Sequence, residues 1–221
     1  MTPPEWVEWI AEFVYRASKI TDGFICVVSN NPVLDAEMIP VNEMLTMAVA
    51  DMGIGVERKV IWSKNSAPSR HQGKWQWFSN AYEEVLCFYR HPRPTVWNWE
   101  AIAEPPKYTN GGKFRQRNAK GDRTEGGEYP KSKLARPKDV LRVTVGGGHM
   151  GHKLAHKQEA CFPEKLVEPF VLALTNPGDS VFDPFCGSST LGAVCQRFDR
   201  NYVGVDVRES QISLSKERLG I

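Results

Sequence analysis

Apolar positions recur at three- and four-residue spacing near the start of the chain. Trp6, Trp9, Ile10, Phe13, Val14 and Ala17 fall on one face of a helix predicted over Pro4 to Ser18, with Thr2 placed to cap it and prolines in its first turn. The run GFICVVSNN, Gly23 to Asn31, stays apolar until polar turn residues end it, the pattern of a strand buried on both faces of a parallel sheet. A second helix is predicted over Val41 to Met52. Two more strand candidates, VERKVIWSK and YEEVLCFYR, flank the irregular polar and aromatic stretch NSAPSRHQGKWQWFSN.

From Glu104 to Gly148 the periodicity fails, and glycine, proline and basic residues dominate. Order then returns as a helix (PEKLVEPFVLALTN), a strand (DSVFDPF), a helix (SSTLGAVCQRF), a strand (NYVGVDV) and a helix (ESQISLSKERL). That succession is the frame of a doubly wound sheet. The expected fold is therefore α/β, a mostly parallel Rossmann-like sheet with a basic insertion. Its expected parts are residues 1–103 as one half of the α/β domain, 104–148 as the insertion and 149–221 as the other half.

Charge sharpens the role of the insertion. The chain carries a net charge of only +2. Between Pro105 and Val145, however, eleven Lys and Arg stand against four Asp and Glu, and the rest of the chain is acidic in balance. Concentrated positive charge is what a surface that meets a polyanion requires. Lys113, Arg115, Arg117, Lys120 and Arg123 are the candidates for phosphate contact, and the arginines among them for reading guanine.

Length and composition exclude several classes. At 221 residues, 41% hydrophobic and 24% charged, the chain suits one soluble domain with an insertion, and no apolar run has the length of a membrane span. The start MTPPEWVEWIAEF has no basic region ahead of an apolar one, so a cytoplasmic location is expected. Five scattered cysteines without a C-x-x-C pair suggest neither a disulfide framework nor a zinc site. His149, His152 and His156 have helix-compatible spacing but no acidic or cysteine companions, so no metal is expected. Trp75 and Trp77 alternate as packing residues would, with base stacking as the alternative.

The chemistry concentrates in DPFCGSSTLG, Asp183 to Gly192, where an apolar strand gives way to a helix. A glycine turn there lets a ligand approach the backbone, and helix-start N–H groups attract polar or anionic groups. No lysine follows Gly192, which disfavours a nucleoside triphosphate loop, and Ser189 stands where a dinucleotide fingerprint has its second glycine. Asp183 ends the first strand and Asp206 the second, 23 residues on, about where a ribose-binding carboxylate is expected.

With upstream ACFPEKL and downstream YVGVDV, these residues resemble the amino-group DNA methyltransferases, in the permuted subgroup whose catalytic half precedes the S-adenosylmethionine half. Asp183, Pro184, Phe185, Gly187, Ser188 and Thr190 match the family string D-P-F-x-G-S-G-T-T, while Ser189 and Leu191 depart from it. The resemblance implies that Phe162 and Pro163 wrap the methionine end of S-adenosyl-L-methionine, with Asp183, Pro184, Phe185, Cys186, Gly187, Ser188, Ser189 and Thr190 around the turn. It also implies that Asp206 holds the ribose, Val207 packs near the adenine and Cys186 is no nucleophile. The implied activity is methyl transfer to an exocyclic amino group of cytosine or adenine in double-stranded DNA, and the basic segment lies where the family places target recognition.

One family part is not visible. The family sets an Asp, Ser or Asn followed by Pro-Pro and an aromatic at the end of a central strand, between the cofactor strand and the one corresponding to FICVV. Here only Thr2-Pro3-Pro4-Glu5 approaches it, and its prolines read as a helix start. Three expectations follow: a chain truncated at its N-terminus, a strand supplied by another chain or a homodimer partner, or VLRVTV (140–145) filling the place. The alternative function is accordingly an incomplete methyltransferase subunit that binds cofactor or DNA and needs a partner chain.

Overall fold

The computed structural model of the chain describes residues 1–64, 80–106, 113–124, 126–128, 133–146, 149–150, 154, 157 and 161–221. They form two compact units, Met1–Asn98 with Lys138–Ile221, and Trp99–Pro137.

One reversed strand organises the sheet of the larger unit. α1 (Pro3–Ile20) leads into β1 (Phe24–Ser29), a small hairpin of β2 (Val33–Leu34) and β3 (Glu37–Met38), α2 (Val41–Asp51), β4 (Gly55–Val56), β5 (Val60–Ser63) and β6 (Tyr82–Tyr89). β1, β4 and β5 each pair antiparallel to β6, and β9 (Val140–Arg142) pairs parallel to β5. Every strand of this sheet except β6 therefore runs the same way, in the order β1-β6-β5-β9 with β4 also on β6. The sequence reading of β1 as an inner parallel strand is corrected here: its neighbour is the antiparallel β6, and most of β1 is half-buried.

The period-two alternation of β6 serves two layers. Leu86 and Phe88 turn to a core with Val7, Ile10, Ala11 and Val14 of α1 and Val41, Leu45 and Val49 of α2. On the other face Trp62 of β5 packs with Val143 and with Leu166 of α3 (Glu164–Leu174). Helices thus cover both faces, as a doubly wound fold requires. α1 starts as its sequence dictates, with prolines in the first turn and the Glu5 carboxylate accepting the Thr2 N–H at 2.6 Å.

After α3 come β10 (Ser180–Asp183), α4 (Thr190–Arg197), β11 (Asn201–Gly204) and α5 (Glu209–Leu219), with β10 and β11 in a parallel ladder of their own. Val171 of α3 and Val194 and Cys195 of α4 form a core against Val181 and Tyr202 of that ladder. This is the predicted αβαβα succession.

Two expectations change. VLRVTV does not fill the place between β1 and β10, because β9 lies at the opposite edge of the sheet, beyond β5. Among the described residues, nothing pairs with the outer edge of β1 or with the second edge of β10. The smaller unit ends at Pro137, so residues 138–146, expected in the insertion, belong to the larger unit. The smaller unit holds a 3-10 turn at Trp99–Ile102 and a ribbon of β7 (Gln116–Arg117) and β8 (Arg123–Thr124).

Phe88 has no exposed surface at the centre of the α1–α2 core. Phe88→Ala is expected to lower unfolding free energy by about 3–5 kcal/mol in urea titration, through lost transfer energy and the cavity left behind.

Candidate functional site

β10 and β11 are parallel, so their carboxyl ends, Asp183 and Gly204, lie side by side in register. In open α/β sheets that end is where ligands sit. The chain leaves β10 through Pro184, Phe185 and Cys186 and turns at Gly187, whose φ of 51° suits a residue without Cβ. Ser189 is also left-handed, at φ 54° and ψ 50°, immediately before α4. A serine there accepts conformational strain of the kind that clusters at binding sites.

Both candidate carboxylates are engaged with this turn. Asp183 accepts the Phe185 N–H at 3.1 Å. Burial raises its pKa, against the opposing effects of the Phe185 N–H and the Tyr202 hydroxyl. Asp206 Oδ2 accepts the Gly187 N–H at 3.1 Å, and Oδ1 accepts the Arg208 N–H at 2.9 Å and pairs with the Arg208 guanidinium at 3.3 Å. Burial pushes the Asp206 carboxyl up, but these donors outweigh it and hold it ionised, below the ordinary carboxylate range. An ionised carboxylate has about four acceptor positions, so with three donors in place one position remains, on Oδ2, for a hydroxyl donor.

The predicted wrapping residues converge on the same turn. Thr190 Oγ1 donates to the Phe162 carbonyl at 3.2 Å, bridging 28 residues of sequence. Pro163 is fully buried and precedes α3, while the Phe162 ring packs edge-on to Trp62 at 6.0 Å. Phe185 is half-exposed and held by Trp9 and Phe13 of α1, at ring separations of 5.5 and 5.1 Å. Val207 is 97% exposed directly beyond Asp206, an apolar side chain that nothing in the described chain covers. Cys186 is buried, and burial raises its thiol pKa, which suits a packing residue better than a nucleophile.

Several contributors escaped the sequence reading. Tyr202 lies against Gly192 and Gly204, and a Cβ on either would approach its ring or hydroxyl to 2.6 Å, so these glycines permit the tyrosine to pack under the turn. Ser215 Oγ donates to the Gly187 carbonyl at 2.6 Å. Arg218, with no exposed side-chain surface, donates to Ser188 O (3.2 Å), Ser188 Oγ (3.3 Å) and Thr190 Oγ1 (3.1 Å) and pairs with Glu164 at 2.7 Å. Arg197 takes the other Glu164 oxygen. One signal was available: Arg218 stands four residues after Leu214 and three after Ser215, on the buried side of α5.

The five basic candidates all fall in the smaller unit. Asn118 Oδ1 accepts the N–H groups of Lys120 and Asp122, at 2.9 and 3.0 Å, which fixes the turn between β7 and β8. Arg117 is directly opposite Arg123 in the ladder, and both are exposed. Like charges in that relation are unfavourable unless an anion meets them. Lys113 and Arg115 precede the ribbon on the same exposed stretch. His152, His156, Trp75 and Trp77 lie outside the described residues. Among the described residues, no group of three or more His, Cys, Asp or Glu is placed to hold a metal, and no helix is long and apolar enough to cross a membrane.

A family model described as DNA methylase matches residues 2–217. The type II methyltransferase M.HpaI of Haemophilus parainfluenzae is 32% identical over 148 residues, covering 66% of this chain and 41% of its own length. The chain thus spans less than half of that curated relative. Among solved structures, the cytosine-N4-specific PvuII DNA methyltransferase aligns with a TM-score of 0.70 at 20% identity, over 98% of this chain and 71% of that one. A DNA modification methylase of Thermus thermophilus, solved with S-adenosyl-L-methionine, gives 0.61 at 16%, over 98% and 77%. These likenesses agree with the Rossmann-like α/β fold.

Burial pushes the Glu164 carboxyl up, but hydrogen bonds from Arg197 and Arg218 prevail and leave its pKa lowered. Its stabilising effect is complete above the unfolded value of about 4.3 and is lost as pH falls through the folded pKa. Glu164→Gln, which leaves Arg218 buried without its counter-charge, is expected to cost about 3–5 kcal/mol in urea titrations at pH 7. The difference from the parent should shrink as the pH is taken down below about 4.

Proposed function

This chain belongs to the N6/N4 DNA methylase family, and on that premise we propose that it serves S-adenosyl-L-methionine-dependent methylation of an exocyclic amino group, N4 of cytosine or N6 of adenine, in double-stranded DNA. The observation that carries the reading is the turn Gly187–Thr190 at the carboxyl ends of two parallel strands, tied to Asp206 through the Gly187 N–H.

The residues present fit that cofactor. Asp206 is ionised and retains an acceptor position on Oδ2 for a ribose hydroxyl, and the exposed Val207 beside it offers an apolar surface to a purine. The turn from Asp183 to Thr190, with Phe162 and Pro163 at its back, would hold the amino-acid end. When bound, S-adenosyl-L-methionine supplies a methyl group made electrophilic by the sulfonium. The chain's own part is to fix orientation, because direct transfer depends on alignment of the acceptor nitrogen.

The target base has to leave the stack before its amino group is reachable. The ribbon of Arg117 and Arg123, with Lys113, Arg115 and Lys120, supports a role in holding the duplex. The acceptors for the amino hydrogens are not assigned to any residue of this chain. The edges of β1 and β10 that have no partner among the described residues favour a further strand as their source.

Three experiments test the reading. Incubation of the chain with tritiated S-adenosyl-L-methionine and unmethylated duplex DNA should label the DNA, and Asp206→Ala should weaken cofactor binding tenfold or more in calorimetry. A parent chain without measurable cofactor binding contradicts the proposal, and binding without transfer favours an incomplete subunit that needs a partner chain. For DNA, Arg117→Ala and Arg123→Ala should each weaken duplex binding and lower the slope of log affinity against log salt by about one.

A further inference from the structure

We propose that Arg218, near the end of the last helix, is a positioning residue for the cofactor turn, and that it acts through the carbonyl groups of that turn; the inference rests on the cofactor reading above. The geometry is specific. Arg218 Nη1 reaches Ser188 O, Ser188 Oγ and Thr190 Oγ1 within 3.1–3.3 Å, and Nη2 reaches Glu164 Oε1 at 2.7 Å. Three residues earlier on the same helix face, Ser215 pins the preceding carbonyl, that of Gly187. Two successive peptide planes of the turn are thus anchored by their oxygens to α5. Because a peptide is planar and trans, an anchored C=O also fixes where its N–H points.

The turn needs such an anchor. Gly187 and Ser189 both hold positive φ, and a serine there persists only where its surroundings over-determine the conformation. A guanidinium is suited to the task because its planar fork serves carboxylate and carbonyl together, whereas the compact ammonium of lysine cannot span both. Glu164 keeps the fork aimed and also ties it to the residue that follows Phe162-Pro163. One ionic contact therefore links both segments placed around the amino-acid end of the cofactor, while Asp206 is held chiefly by Arg208, with the Gly187 N–H as its one printed tie to the turn.

The consequence is selective. Arg218→Lys, studied in the full chain, is expected to weaken S-adenosyl-L-methionine binding tenfold or more in calorimetry. The same variant should change affinity for 5′-deoxy-5′-methylthioadenosine, which lacks the amino-acid end, less than threefold. General destabilisation would weaken both ligands alike and would overturn the proposal, as would parent-like binding of both. Ser215→Ala leaves the ion pair intact and provides the second measurement should the lysine variant not fold: a loss of threefold or more for S-adenosyl-L-methionine alone is expected, and unchanged binding overturns the inference. A parent that binds neither ligand overturns the cofactor reading itself. A parent that binds both, with variants that match it, overturns only the role of Arg218.

Discussion

The buried pair of Arg218 and Glu164 is the contact on which the C-terminal half of the molecule depends. A guanidinium with no exposed surface carries a desolvation cost that has to be offset by a nearby carboxylate and by acceptors for its fork, here Glu164, Ser188 and Thr190, while Nε has no hydrogen-bond partner among the described residues. Glu164 opens α3, Thr190 opens α4, Ser188 lies in the turn and Arg218 ends α5, so meeting that requirement brings three helix termini and one turn to a single point. The apolar core of Val171, Val194 and Cys195 supports the same arrangement without specifying it. Packing sets how close the layers come; the ion pair sets where the turn faces.

What was legible in the sequence was the part written as local pattern. The helix of Trp9 and Phe13, the strand ending at Asp183 and the turn at Gly187 follow from periodicity and glycine placement, and the structure has all three. The function of Phe185 as the point where α1 meets the turn was not legible, because it depends on two aromatic contacts between segments far apart in the chain. Arg218 was not singled out from the sequence, since burial is a tertiary property. The placement of β9 failed for a related reason: VLRVTV has the composition of a strand, but which sheet edge it joins is decided by register with Ile61 to Ser63.

Among the described residues, the strands form separate ladders and not one continuous doubly wound layer. Among the described residues, β10 and β11 pair only with one another, and Phe182, Val203 and Val205 leave exposed an apolar stripe of a kind that such folds normally cover. The chain spans less than half the length of the relative M.HpaI. The turn and its carboxylates are formed by local and C-terminal contacts.

The central claim is that Asp183 to Thr190 and Asp206 to Arg208 form one cofactor pocket held from behind by α5. Hydrogen-exchange mass spectrometry, with and without saturating S-adenosyl-L-methionine, tests it most directly. Slowed exchange confined to peptides spanning 161–164, 183–190 and 204–208, with the ribbon at 113–124 unchanged, is the predicted result. Protection elsewhere, or none at saturating cofactor, would contradict it.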